Sequence, residues 1–116
     1  MWDEDKNLSL EHSIKPVDYY ILLSLADGDR HGYNIIKRVL ELSCNTVKIP
    51  PGSLYRALKR LLDEKLIEES DVRPDQKLDD ARRRYYRLTE LGKKVGSYET
   101  RRMEIVMESA LILFPC

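Results

Sequence analysis

The chain has 116 residues, 34% of them charged, with 20 lysines and arginines against 20 aspartates and glutamates. That length fits one domain with a modest core and an appended helix. Net neutrality excludes a binder that works by bulk positive charge, so any contact with nucleic acid has to come from local clustering of cations. The densest cluster is Arg82-Arg83-Arg84. Two cysteines, Cys44 and Cys116, do not make a disulfide framework, and the acidic opening Asp3-Glu4-Asp5 is unlike a secretory leader. The apolar run from Ala110 to Phe114 is too short to cross a bilayer, and a cytoplasmic protein without a membrane partner is expected.

Residues 1–14 form a polar arm relieved by Trp2, Leu8 and Leu10, which predicts either disorder or a short helix docked on a partner. Pro16 stands where a first helical residue belongs, and Val17, Tyr20, Ile21 and Leu25 follow at helical spacing. Leu22 and Leu23 widen the stripe, so this helix is expected to be buried on more than one side. Asp27-Gly28-Asp29 supplies a glycine stop. A second helix opens near His31-Gly32-Tyr33, with Tyr33, Ile36, Val39, Leu40 and Leu42 expected inward and Lys37, Arg38 and Glu41 in water. Residues 43–49 make a turn, and a third helix carries Leu54, Leu58, Leu61 and Leu62 on one face. Residues 65–70 alternate like a strand, residues 72–81 are a polar loop, and residues 82–88 return as a second strand rich in tyrosine. Thr89 caps a last helix of about 25 residues, twice the usual length and more than so small a domain buries alone. Gly96 leaves room there for another helix to approach. The fold class is therefore mainly α (α+β), a winged helix-turn-helix with a two-stranded wing and a long C-terminal dimerisation helix.

The third helix carries the chemistry. Pro50, Pro51, Gly52 and a capping Ser53 set a sharp start. Arg56 and Lys59 lie roughly opposite its leucines, with Tyr55 and Arg60 on the flanks. A firmly anchored helix whose first turns offer hydroxyl, phenol and guanidinium groups outward suits a DNA major groove. An amphipathic core helix with a solvated basic face has the same pattern, so the segment alone leaves both readings open. His31 reads as a capping or packing residue, Cys44 as a small turn residue, and Arg87 as the partner of a nearby carboxylate. Asp75, Asp79 and Asp80 lack the glycine and closing glutamate of a calcium loop. Neither histidine has a cysteine pair at zinc spacing, and no nucleophile-elbow or phosphate-loop motif occurs. No enzyme, cofactor or metal site is expected.

Three blocks then fall into register: His31-Gly32-Tyr33-Asn34-Ile35-Ile36, Pro51-Gly52-Ser53-Leu54-Tyr55-Arg56-Ala57-Leu58 and Arg83-Arg84-Tyr85-Tyr86-Arg87-Leu88-Thr89. In order and spacing they resemble the PadR family of bacterial transcriptional regulators. The resemblance implies a homodimer, usually a repressor, on an inverted-repeat DNA operator, in many members released by a small hydrophobic or aromatic effector. It implies DNA contacts from Ser53, Tyr55, Arg56 and Lys59, a phosphate at Gly32 and Tyr33, and wing contacts from Arg73, Lys77, Arg82, Arg83 and Arg84. The aspartates of the wing depart from that pattern, because phosphates repel them. Boundaries follow at 1–14 for the arm, 15–88 for the winged-helix DNA-binding domain and 89–116 for the dimerisation helix. Tyr98, Arg102, Ile105, Val106, Ala110 and Leu113 are the expected dimer contacts. Two rivals stand beside this reading: a protein-interaction module without DNA binding, and a small-molecule sensor acting by sequestration.

Overall fold

The computed structural model describes residues 14–71 and 84–115. Its elements are α1 (Pro16–Ser24), β1 (Arg30–His31), α2 (Gly32–Leu42), α3 (Pro51–Asp63), β2 (Ile67–Ser70), β3 (Tyr85–Leu88) and α4 (Glu90–Leu113). Pro16 does open α1, after an extended Lys15. The helix ends at Ser24 with Leu25 as its C-cap, two residues earlier than a glycine stop at Gly28 requires. No glycine has positive φ, so Gly28 is not a left-handed cap. Arg30 takes that role instead: its Nη1 donates to the carbonyls of Ser24 and Gly28 at 2.8 and 3.2 Å and pairs with Asp27 at 2.9 Å.

The sheet has three antiparallel strands in the order β1-β3-β2, one more than the hairpin the sequence suggests. Arg30 and His31 lie opposite Tyr86 and Tyr85, while Ile67 to Ser70 run opposite Leu88 to Tyr85. Two residues are too few to show the alternation of a strand. β1 exists because the free edge of β3 offers it a ladder. Its last residue, His31, also starts α2, accepting the Asn34 N–H at 3.4 Å on Nδ1 and packing edge-on against Tyr85.

On α2 the buried residues are Gly32, Ile35 and Val39. Tyr33 and Leu42 are exposed, against the inward placement read from the sequence, because the helix is rolled so that Ile35 rather than Tyr33 meets the core. The apolar stripe of this helix is broad, running over Ile35, Ile36, Val39 and Leu40, and packing against its neighbours decides which part of it is sealed. On α3 the inward stripe is as expected, with Leu54, Ala57, Leu58 and Leu61 buried and Leu62 partly so.

Both α2 and α3 end in left-handed residues that are not glycine. Cys44 (φ 52°) and Lys65 (φ 62°) each follow a C-cap, and the next amide donates back to the carbonyl of Leu40 or Leu61. These are Schellman caps carrying a side chain where glycine is usual. The second cap also seats α4. The Leu66 carbonyl accepts the Thr89 N–H, the Thr89 hydroxyl donates to the Lys65 carbonyl at 2.7 Å, and the Thr89 hydroxyl oxygen in turn accepts the Gly92 N–H at 3.0 Å. Gly92 is wedged so tightly that a Cβ there would stand 2.0 Å from the Leu66 carbonyl oxygen. Past this seat only Val95 of α4 is buried in the core.

Candidate nucleic-acid interface

Helix α3 starts sooner than the sequence suggests. Pro50 is the N-cap residue and Pro51 the first helical position, so Ser53 sits inside the first turn rather than capping it. Freed from the cap, its hydroxyl accepts from Arg56 Nη2 at 3.4 Å, which folds the guanidinium back toward the start of the helix. Tyr55, 60% exposed, projects beside it, and Lys59 lies exposed one turn further on. A Cβ at Gly32 would lie 3.5 Å from the Tyr55 hydroxyl and 3.3 Å from Leu54 Cδ2. The start of α2 and the first turns of α3 therefore form one edge. Gly32, Ser53, Tyr55 and Arg56 meet there, and Tyr33 stands out from it 68% exposed.

The edge is cationic because of what its arginines and lysines lack. Ion pairs among the described residues engage Arg30, Arg38, Arg60, Arg84, Arg87, Lys93 and Arg102. Arg56 and Lys59 are not among them, and neither are Lys15, Lys37, Lys48, Lys65, Lys94 and Arg101. Of these eight, only Arg56 and Lys59 lie on the outward face of α3. Arg30 and Arg38 are spent on Asp27. Burial pushes that carboxyl up, but the hydrogen bonds and charges of the two arginines outweigh it and leave Asp27 below its ordinary value.

Arg60, on a flank of the helix, was not singled out by sequence. It grips the buried carboxylate of Asp18 on α1 with two hydrogen bonds, Nε to Oδ2 at 3.0 Å and Nη2 to Oδ1 at 2.6 Å. The hydrogen bond to Asp18 holds the guanidinium still more firmly protonated than usual. Forty-two residues separate the partners, too far for any local signal.

On the wing, Arg84 is exposed and pairs with Glu69 at 2.9 Å, and Arg87 pairs with Glu68 at 3.1 Å. Arg73, Lys77, Arg82 and Arg83 lie outside the described residues, as do Asp75, Asp79 and Asp80. The far half of α4 has a different character. Ile105, Val106 and Leu113 are exposed, as are Met103, Met107, Leu111, Ile112 and Phe114, which the expected contacts left out. Tyr98 and Ala110 are half-buried, and Arg102 is held by Glu99 at 2.8 Å, which raises its pKa. Between α1 and the near half of α4 runs an open, largely apolar groove of about 240 Å³, lined by Tyr19, Leu22, Leu23, Ala26, Leu88 and Gly96 among others. Among the described residues no helix is long and apolar enough to cross a membrane, and no cluster of three metal-ligating side chains occurs.

The arrangement matches known proteins. The model of the transcriptional regulator PadR-like family matches residues 21–97. A PadR family transcription regulator of Clostridium difficile superposes with a TM-score of 0.72 at 26% identity, covering 86% of this chain and 99% of that one. A transcriptional regulator of Clostridium thermocellum gives 0.66 at 29% identity over 80% of this chain and 87% of that one. Bacillus subtilis PadR, solved in complex with operator DNA, gives 0.57 at 27% identity over 72% of this chain and 46% of that one.

Proposed function

The chain belongs to the PadR-like family of transcriptional regulators, which are not enzymes, and on that premise we propose that it is a cytoplasmic repressor holding an inverted-repeat operator as a homodimer. The observation that carries this reading is the edge just described, where unpaired Arg56 and Lys59 share a surface with two exposed tyrosines. Ser53, Tyr55, Arg56 and Lys59 enter the major groove. A base-specific pair from such a side chain is worth about 1–3 kcal/mol. The positive end of α2 at Gly32 and Tyr33 meets a backbone phosphate. Arg84, with Arg73, Lys77, Arg82 and Arg83, adds contacts from the wing once Arg84 exchanges Glu69 for a phosphate. A surface ion pair of this kind contributes about 0–1 kcal/mol, so the exchange is easy.

In this reading residues 15–88 read DNA and residues 89–116 pair two copies, helped by the arm at 1–14. Tyr98, Arg102, Ile105, Val106, Ala110 and Leu113 line the contact. Pairing sets the two α3 helices about 34 Å apart, one turn of the duplex. A small hydrophobic or aromatic effector in the groove between α1 and α4 shifts that distance and releases the operator, a choice between two dimer geometries.

Fluorescence anisotropy against duplexes selected by the protein from a random library tests the proposal. Binding is expected to fall steeply with salt as counterions are released, by about 10³-fold or more between 50 and 200 mM if six or more phosphates are contacted. Salt-insensitive, negligible affinity for every duplex would refute it and favour a protein-interaction module.

A further inference from the structure

Asp18 and Tyr19 are neighbours on α1 that reach to different helices. The Asp18 side chain, 4% exposed, takes its two hydrogen bonds from Arg60 of α3. The Tyr19 hydroxyl lies 2.7 Å from Thr100 Oγ1 of α4. Thr100 donates its own proton to the Gly96 carbonyl at 2.8 Å, so Tyr19 is the donor of that bond. One turn of α1 thus holds the reading helix by one residue and the long helix by the next.

A buried ion pair is weak ground for stability, since the desolvation of both groups offsets their attraction and well-packed apolar residues often do as well. It supplies geometry. The leucines under α3 make non-directional contacts that tolerate sliding and rolling, whereas a guanidinium fork on a carboxylate fixes both distance and angle. Arg60 lies one turn beyond Arg56 on the same helix, so a roll of α3 at Arg60 is a roll of the reading edge.

Resting on the reading that two copies bind an inverted repeat, we infer that Asp18 and Arg60, together with Tyr19 and Thr100, are positioning residues. They lock α3 to α4 through α1 and so set which spacing between half-sites the dimer accepts. One base pair added to the spacer moves a half-site by about 3.4 Å and turns it by about 34°. A rigid linkage registers such a change, and a loosened one absorbs it.

The parent protein is used to select duplexes from a random library about 30 base pairs long, room for two half-sites one turn apart. Spacer variants one base pair longer and shorter are made from the selected duplex. Parent, Asp18→Asn, Arg60→Lys and Tyr19→Phe are then titrated on all three duplexes, with thermal unfolding followed in parallel. The parent is expected to prefer the selected spacing by about tenfold, within the usual range for a disturbed site. Asp18→Asn and Arg60→Lys are expected to cut that preference at least threefold, while the salt dependence of binding stays that of the parent. Tyr19→Phe is expected to act in the same direction and more weakly. A purely structural role lowers the melting temperature and leaves the ratio between spacings untouched, and that result overturns the inference. Arg60→Lys keeps the charge and decides the matter should Asp18→Asn not fold. A parent that selects no repeat at all refutes the homodimer reading instead, which is a different result from variants that keep the parent's preference.

Discussion

Helices α3 and α4 each turn a long face away from the core, and the two faces differ in what they ask for. The outward face of α3 is hydroxyl, phenol, guanidinium and ammonium, on a helix whose other side is sealed by Leu54, Ala57, Leu58 and Leu61. The far half of α4 shows Met103, Ile105, Val106, Met107, Leu111, Ile112 and Leu113 to solvent. A polar, cationic face is content in water and gains from polyanions. Exposed apolar surface of that extent, spread round the far half of the helix, is costly to leave wet and marks a place for another polypeptide. One small domain thus carries two unpartnered surfaces of opposite chemistry, with α1 between them.

The contrast depends on α4 being seated at its near end, and the largest expected effect comes from unseating it. Gly92→Ala puts a Cβ 2.0 Å from the Leu66 carbonyl oxygen, a backbone atom that has no room to retreat. A loss of about 3 kcal/mol or more is expected, about 10 °C or more in melting temperature by circular dichroism. Gly96→Ala has nothing within 4 Å of the new carbon and is expected to raise stability by up to about 1 kcal/mol. Equal effects from the two glycines would mean that the start of α4 is not held as described.

The apolar face is broken next. Ile105→Lys with Val106→Lys places two cations on it and is expected to give a monomer in equilibrium sedimentation. Operator affinity then falls by at least about 100-fold as two-site binding is lost. For the cationic face, Arg56→Ala with Lys59→Ala is expected to weaken operator binding by about 10- to 100-fold and to lower the salt slope by about two, while the protein stays dimeric. The two double variants exchange these outcomes if the faces have been assigned the wrong way round.

Much of this was legible because helices advertise a sealed face by period. The leucines of α3 recur at helical spacing, so the outward placement of Tyr55, Arg56 and Lys59 followed from arithmetic. Pro16 and Thr89 marked helix starts by their chemistry, and both helices begin there. On α2 the arithmetic was ambiguous, since Ile35, Ile36, Val39 and Leu40 support more than one stripe, and Tyr33 came out on the surface. Contacts distant in sequence left no trace at all: β1 needs the edge of β3, and Asp18 needs Arg60. The turn at 43–49 was read despite left-handed Cys44 and Asn45, but the end of α3 was obscured because its left-handed residue is Lys65 instead of glycine. That substitution has a testable cost. Lys65→Gly relieves the left-handed strain at the end of α3 and is expected to add about 1 kcal/mol of stability, read from a urea midpoint, without changing affinity for DNA.

The smallest effect concerns the contrast between Arg56 and Lys59, which make no ion pair among the described residues, and Arg30 and Arg38, which share Asp27. Asp27 holds Arg30 and Arg38 at 2.9 and 2.8 Å, and those arginines bring its carboxyl below its ordinary value of 3.8. A carboxylate with a depressed folded pKa stabilises the fold at pH above its unfolded value, and that contribution disappears as the pH drops through the lowered folded one. Stability is therefore expected to decline on acidification below about pH 4, with a part of the decline belonging to Asp27. The side chain is 54% exposed, so solvent screens the pair and the part is small. Asp27→Asn is expected to cost little near neutrality and to flatten the acid limb slightly, measured by urea unfolding at about pH 6 and about pH 3. It also takes the Asp27 charge from Arg30 and Arg38, which keep their hydrogen bonds to the Ser24 and Gly28 carbonyls and the ion pair with Glu41 respectively. If the division between occupied and available cations sets where the polyanion lies, this variant gains nonspecific DNA affinity at low salt and gives it up again as salt is added. An unchanged low-salt affinity would place Arg30 and Arg38 beyond the reach of the duplex and confine the cationic face to α3 and the wing.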